Sequence, residues 1–488
     1  MNSRKTFSVV GLMGMVAAVA CAEPSVSDVT VRQQWPWSKD VVVGYTLDGM
    51  EDGAVDLTVT ASNGAETFDA AKLSAAISGK RFGVTGNGRH ELTIDPVKAF
   101  GTAGGDALSE FRVKVAIAPS ATGLTDELYR IYDLDDGSYE SVSRADIMND
   151  PATYGSYETD FSKIGPGFNT TLPAEDIFIW TGVTNNPAYK TDKLVMRRIR
   201  AKDKVWASGG ATKCYVKMTF DYLIAVFETT QAQWTKIYGE NYSTWKGLAD
   251  SDGRPAEGMM SGEVIGFRID DDYPLDRKGY TYHRCYKNTS ERFKWPLNTY
   301  LYDVDSKSFL KKMLDKTGFE FFLPTRAQWE YACRAGTTTD YNSGKDQTEA
   351  VAKEVGWVQL NSAEGYDKQQ THVVGTKPAN AFGLYDMHGN VAEMTAGVGA
   401  INAGQESHGA TENDPVVDPL GTHNYANEMK CGGCYDNYFN GSGDPDYSKG
   451  WKATMSYSAS AWEASGATRS DMGFRMVCPI NPTWLPRE

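Results

Sequence analysis

Histidine and cysteine are scarce in this chain, with six and seven among 488 residues. The histidines show no HxxxH or HxH spacing. The one CxxC pair, Cys431 and Cys434, has no second pair to complete a tetrahedral set, so a structural zinc site is excluded. Neither a GxSxG elbow nor a glycine-rich phosphate loop occurs, and no internal repeat or low-complexity tract is present. Basic residues are outnumbered, 49 Lys and Arg against 63 Asp and Glu. At a net charge of −14 the chain cannot neutralise phosphates in the way a nucleic-acid partner requires. After residue 22 no apolar run approaches the length of a membrane span.

The first 22 residues read as a secretory signal. Arg4 and Lys5 form a basic start, Phe7 to Ala20 an apolar run, and Ala20-Cys21-Ala22 a small-residue cleavage site. Lipidation of Cys21 is an alternative, although Ala18 stands where a large aliphatic residue is expected. The expected location is therefore outside the cytoplasm: periplasmic, cell-surface or extracellular. Removing residues 1–22 takes the net charge from −14 to −16 and leaves Cys214, Cys285, Cys333, Cys431, Cys434 and Cys478. Export permits disulfides, but this sparse, irregular spacing is not a disulfide-stapled scaffold.

A chain of this length predicts two or three domains. Residues 23–119 carry SDVTVRQ, DVVVGYTL, VDLTVTAS, HELTI and EFRVKVAIA, which alternate β-branched and polar residues between Gly, Asn and Asp clusters. That pattern predicts an all-β, immunoglobulin-like sandwich with no catalytic constellation, a spacer or binding module. SATG (120–123) marks its boundary. Residues 125–189 predict an irregular, β-rich approach to the next domain, with LYRIYDL and DIFIWTGV as strands, and KLVMRRIRA following. Helices are expected only after residue 225. Thr230 and Gln233 form a capping box, Ser306 precedes an apolar face closed by Gly318, and Thr325 and Gln328 form a second box closed by Gly336. Between 340 and 480 periodicity is poor, so the loops there must be pinned by Trp and Tyr burial, backbone hydrogen bonds or a metal.

Five segments carry a resemblance: FETTQAQW (227–234), FLPTRAQWEYACRAG (322–336), THVVGTKPANAFGLYDMHGNVAEM (371–394), CGGCY (431–435) and MGFRMV (472–477). In this order they resemble the formylglycine-generating enzyme family, the sulfatase-modifying factor domain, over residues 190–480. The resemblance implies an α+β, C-type-lectin-like formylglycine-generating-enzyme fold with little regular structure, preceded here by the all-β sandwich.

The same resemblance bears on chemistry. Family members hold copper(I) with two cysteines that follow a GGSW strand, because soft thiolates select Cu(I) and a thiolate must engage the substrate. Laid on this chain, those places are Asn437 and Ser442, while Cys434 replaces the serine, Tyr435 the tryptophan, Cys431 the preceding arginine and Met394 the second tryptophan of WEW. Copper is therefore not an expected cofactor. Cys431 and Cys434 could stand in as thiols only if a bulge at Gly432-Gly433 brought them to one side, since residues three apart on a strand face opposite ways. The bland reading is two small buried residues, or one of them in a disulfide with Cys478 or Cys285. The HGNVAE turn keeps the family's calcium pattern, implying ligation by Asn390, the Val391 carbonyl, Glu393 and the His388 carbonyl. Asp270-Asp271-Asp272 reads as a solvated loop.

Two functions follow as expectations. The first is an exported, non-oxidising family member that binds a protein, small-molecule or carbohydrate ligand. The second is an enzyme, a copper- and oxygen-dependent oxidoreductase acting on a cysteine-containing peptide or other thiol through Cys434.

Overall fold

A computed structural model of the chain describes residues 23–33, 39–50, 53–64, 66–67, 73, 76–100, 111–120, 124–209, 214–265, 307–345, 348–363, 369–398, 410–418, 427–436, 459–463 and 469–480. The signal-like segment, Asp270 to Asp272, Cys285, Ser306, Asn437 and Ser442 lie outside the described residues. The chain divides into two units, Met1–Ala121 and Thr122–Glu488.

In the first unit, alternation of β-branched and polar residues yields strands. One sheet has the order β1-β2-β7-β5, from β1 (Ser25–Gln33), β2 (Val41–Asp48), β7 (Gly88–Ile94) and β5 (Ile77–Ser78). The other runs β4-β3-β6, from β4 (Glu66–Thr67), β3 (Ala54–Asn63) and β6 (Val84–Thr85), with β8 (Phe111–Pro119) also antiparallel to β3. Val41, Val43, Tyr45 and Leu47 occupy every second position of β2 and are buried with Leu92, Ile94, Val55 and Leu57, as period-two patterning requires.

The second unit is built on an antiparallel sheet in the order β10-β9-β11-β14-β20. Its strands are β9 (Glu127–Asp133), β10 (Tyr139–Ser143), β11 (Lys193–Ile199), β14 (Tyr222–Ala225) and β20 (Val477–Pro479). All four residues of β14 are buried, since this strand is enclosed on both faces. A smaller sheet joins β12 (Val205–Ser208), β13 (Cys214–Lys217) and β16 (Val416–Val417). The sheet that positions the site has the order β18-β17-β15-β19, from β18 (Ala459–Glu463), β17 (Asn427–Cys431), β15 (Ala392–Val398) and β19 (Met472–Gly473).

The residues at 125–189 supply two strands of the main sheet, and their apolar side chains share one core with the rest of the unit. Three sequence expectations are corrected. DIFIWTGV is not a strand: Ile179 makes only an isolated bridge to Glu158, and 3-10 turns flank it at Ala174–Asp176 and Thr181–Asn185. Short helices do occur before 225, at Pro96–Phe100 in the first unit and at Arg144–Asn149, Pro151–Tyr154 and Ala188–Thr191, and Glu349–Val355 lies in the loop-rich part. Their few turns are too short to show periodicity. The helix Phe309–Thr317 is capped by Ser308, not Ser306.

Both predicted capping boxes form. Thr230 and Gln233 cap Gln231–Tyr238, and Thr325 and Gln328 cap Arg326–Arg334, whose end is Ala335 in the left-handed region (φ 44°) before Gly336. Trp234 stacks on Phe309 with centroids 4.9 Å apart and Phe474 edge-on to both, which locks two helices to the chain's closing segment. Thr325→Ala should lower the free energy of unfolding by about 1 kcal/mol, the usual loss for an N-cap hydroxyl. Urea denaturation of the intact chain measures it, and an unchanged midpoint would contradict the role of this box.

Candidate functional site

The HGNVAE turn and the CGGCY segment meet. The Gly389 amide donates to the Gly432 carbonyl at 2.9 Å and the Tyr435 amide to the Asn390 carbonyl at 2.8 Å. Gly389 (φ 77°) has no substitute, because a Cβ there would stand 2.1 Å from the Trp357 carbonyl oxygen. Glu393 on β15 lies opposite Cys431 of β17 on one side and Gly473 of β19 on the other. That register delivers Arg475, two residues further on, to the Glu393 carboxylate.

A buried polar cluster results. The Arg475 Nε donates to both Glu393 oxygens at 2.8 and 2.7 Å, and its Nη2 donates to Glu393 Oε1 at 2.6 Å. The same guanidinium donates to the carbonyls of Ala225 at 3.1 Å and Tyr385 at 2.9 Å. Trp329 Nε1 completes the Glu393 carboxylate at 2.7 Å. Beside this pair, Glu228 accepts from Asn390 Nδ2 at 2.7 Å and from the Val391 amide at 3.0 Å. Asp386 accepts from the Gly375 amide at 2.6 Å. Burial, then the Asp386 and Glu393 charges, push the Glu228 carboxyl well above its ordinary range, and burial pushes Asp386 up as well.

These contacts involve the residues that the resemblance implies for calcium. Asn390, Val391, Glu393 and His388 are all buried here, but they do not form an oxygen cage. Glu393 is committed to the Arg475 guanidinium. Asn390 Oδ1 accepts from the His372 amide at 2.9 Å, and the Asn390 carbonyl from Tyr435. The His388 ring turns inward, its Nε2 accepting from the Asn342 amide at 3.2 Å and lying 3.8 Å from Cys333 Sγ. With Glu393 and Asn390 Oδ1 already bonded within the protein, we infer that this set holds no calcium. Calcium or a chelator should leave the melting temperature unchanged. Glu393→Ala should cost about 3–5 kcal/mol, because it strands a buried guanidinium. A calcium-dependent rise in melting temperature would refute this assignment.

The thiols are equally enclosed. Strand β17 ends at Cys431, and Gly432 (φ 84°) and Gly433 (φ 66°) turn the chain in the left-handed region, so Cys434 is not on a strand as expected. Cys214, Cys333, Cys431, Cys434 and Cys478 are all buried, and Cys478 is a free thiol, so no disulfide joins Cys431 or Cys434 to it. Burial pushes the Cys431 thiol up to about 12. Cys434 goes higher, through burial and then Asp471, whose Oδ2 lies 3.9 Å from the sulfur. Asp471 itself is held by Arg469 at 2.8 Å and Lys430 at 3.3 Å.

Tyr435, next to Cys434, leads to Trp245 and Glu257. The Trp245 and Tyr435 rings meet edge to face at 5.9 Å, and Tyr435 Oη interacts with Ser470 Oγ at 3.3 Å. Glu257 is fully buried, accepts from the Trp245 amide at 3.2 Å, and leaves Oε2 without a partner.

Residues 201–480 match the sulfatase-modifying factor enzyme 1-like domain, more than half of the chain. The chain belongs to this family. Similar proteins include a chaperone protein, LppX, of Paenibacillus barcinonensis, 27% identical over 195 residues, covering 36% of this chain and 61% of that one. The formylglycine-generating enzyme of Mycobacterium tuberculosis is 42% identical over 82 residues, 15% of this chain and 26% of the enzyme. This chain thus spans less than two thirds of either relative. Among solved structures, Treponema denticola variable protein 1 aligns with a TM-score of 0.39 at 23% identity, over 59% of this chain and 95% of that one. PvdO from Pseudomonas aeruginosa gives 0.35 at 18%, over 59% and 94%.

Family motifs flagged Asn390 and Glu393 but not their partners. Glu228 and Arg475 sit inside the quoted FETT and GFR segments, yet nothing local shows that they converge. The Glu257 carboxyl is pushed up to about 7 by burial. An unfolded glutamate titrates near about 4.3, so the proton favours the fold fully below that value and the gain is lost as pH rises through about 7. Raising the pH from 5 to 8 should cost up to about 3 kcal/mol through this group. Glu257→Gln should flatten that part of the melting profile, and an unaltered profile would sink the assignment.

Proposed function

We propose that this chain is an exported member of the family that does not oxidise thiols and serves as a ligand- or protein-binding module. The observation that carries this reading is the state of Cys434. It is 2% exposed, and both burial and the Asp471 carboxylate disfavour its thiolate. Copper-dependent oxidation needs thiolates that are ionised and reachable. The Asn and Ser at positions 437 and 442 support the same conclusion from sequence. A relative named as a chaperone protein adds support for a protein partner over a small substrate. Loops on a rigid frame are the usual place for such binding, and the loop-rich half of this unit stands on the Arg475 cluster.

Anaerobic titration of the reduced, full-length protein with Cu(I) should show no stoichiometric binding. A cysteine-containing sulfatase peptide, supplied with copper and oxygen, should not be turned over. Turnover that disappears in Cys434→Ala would overturn the proposal in favour of the oxidoreductase.

A further inference from the structure

In a chain of net charge −14, Arg144 and Arg197 are buried guanidinium groups with no ion pair among the described residues. Arg197 on β11 is 2% exposed. Its Nε donates to the Phe382 carbonyl at 2.9 Å, its Nη1 to the Arg198 carbonyl at 3.0 Å, and its guanidinium lies 5.2 Å from the Tyr129 ring centroid. Arg144, immediately after β10, is 6% exposed. It packs over the Phe178 ring at 5.6 Å, and its Nε is buried without a hydrogen-bond partner. Among the described residues neither arginine forms an ion pair.

The sheet register brings the two together. Arg197 lies directly opposite Tyr129, and Tyr129 directly opposite Val142, two residues before Arg144. The Tyr129 hydroxyl is also buried, and the Trp180 amide interacts with it without reaching hydrogen-bond geometry. Residue 383 must be glycine beside this hydroxyl, for a Cβ there would stand 3.1 Å from it. Asp176 and Glu175 act on the arginines only from beyond ion-pair range, and Asp126 is paired with Arg200. Burial lowers the Arg144 pKa and holds Arg197 down at about 10, which is the signature of uncompensated cations.

Burying one unpaired cation costs several kcal/mol, and a second within electrostatic reach adds repulsion. A bound anion removes both penalties. A planar carboxylate is satisfied by one guanidinium fork. The donors here come from two guanidinium groups and a phenol on three adjacent segments, which suits oxygens pointing in several directions.

We propose that Arg144, Arg197 and Tyr129 form a binding site for a small tetrahedral oxoanion, phosphate or sulfate. The full-length protein is titrated calorimetrically with sodium phosphate, sodium sulfate and sodium acetate at constant ionic strength. Titration decides the matter because such salts also raise melting temperatures non-specifically. Phosphate or sulfate should bind saturably, acetate should not, and whichever of the two binds more tightly identifies the ion. Arg144→Met should weaken binding by roughly ten-fold or more, and Tyr129→Phe by a few-fold, consistent with charge-assisted and neutral hydrogen bonds respectively. Absence of saturable binding to the wild-type protein overturns the site, whether or not Arg144→Met folds. So does equal affinity for acetate, or unchanged affinity in a folded variant.

Discussion

The forked contact between Arg475 and Glu393 is the interaction on which the second unit depends. One guanidinium satisfies a carboxylate on β15 and carbonyls at the end of β14 and at Tyr385, while Trp329 brings the helix Arg326–Arg334 to the same carboxylate. Buried ion pairs stabilise only when geometry is good and the remaining hydrogen-bond positions are filled. Both conditions hold here. Glu228 and Asp386 add two more carboxyl groups to the neighbourhood, and burial drives both toward the neutral form. Protons on these carboxyl groups and the Arg475 guanidinium thus lower the net negative charge of the cluster.

This arrangement separates what identifies the family from what performs its chemistry. Glu228, Trp329, Asp386, Asn390, Glu393 and Arg475 come from four of the five motif segments, and each holds a loop or strand in place. The thiol chemistry of related enzymes depends instead on residues after the GGSW-like strand. Those positions vary here without disturbing the frame, because the CGGCY segment is anchored through its backbone, by Gly432 and Tyr435. A binding role can thus occupy a frame inherited from an enzyme.

Parts of this were legible in the sequence for a local reason. Thr230 with Gln233 and Thr325 with Gln328 cap helices through contacts three residues apart, and β2 buries every second residue of its core face. DIFIWTGV misled because its apolar residues serve the core from an irregular loop, where aromatic burial replaces ladder hydrogen bonds. Cys431 and Cys434 read correctly as small buried residues, yet the turn between them was visible only as a pair of glycines. Arg144 and Arg197 carried no sequence signal, since an arginine's partner, or the lack of one, is not local information.

By itself the sequence determined the family, the sandwich-like patterning of the first unit and the helix caps. Each of these rests on residue identity or on spacing within a few positions. Only the tertiary structure decided that Glu393 meets a guanidinium, that Cys434 is buried beside Asp471, and that Arg144 and Arg197 are buried without an ion pair among the described residues. Those outcomes depend on which distant side chains face each other. Glu393 and Arg475 lie 82 residues apart in the chain, and no local preference encodes their meeting.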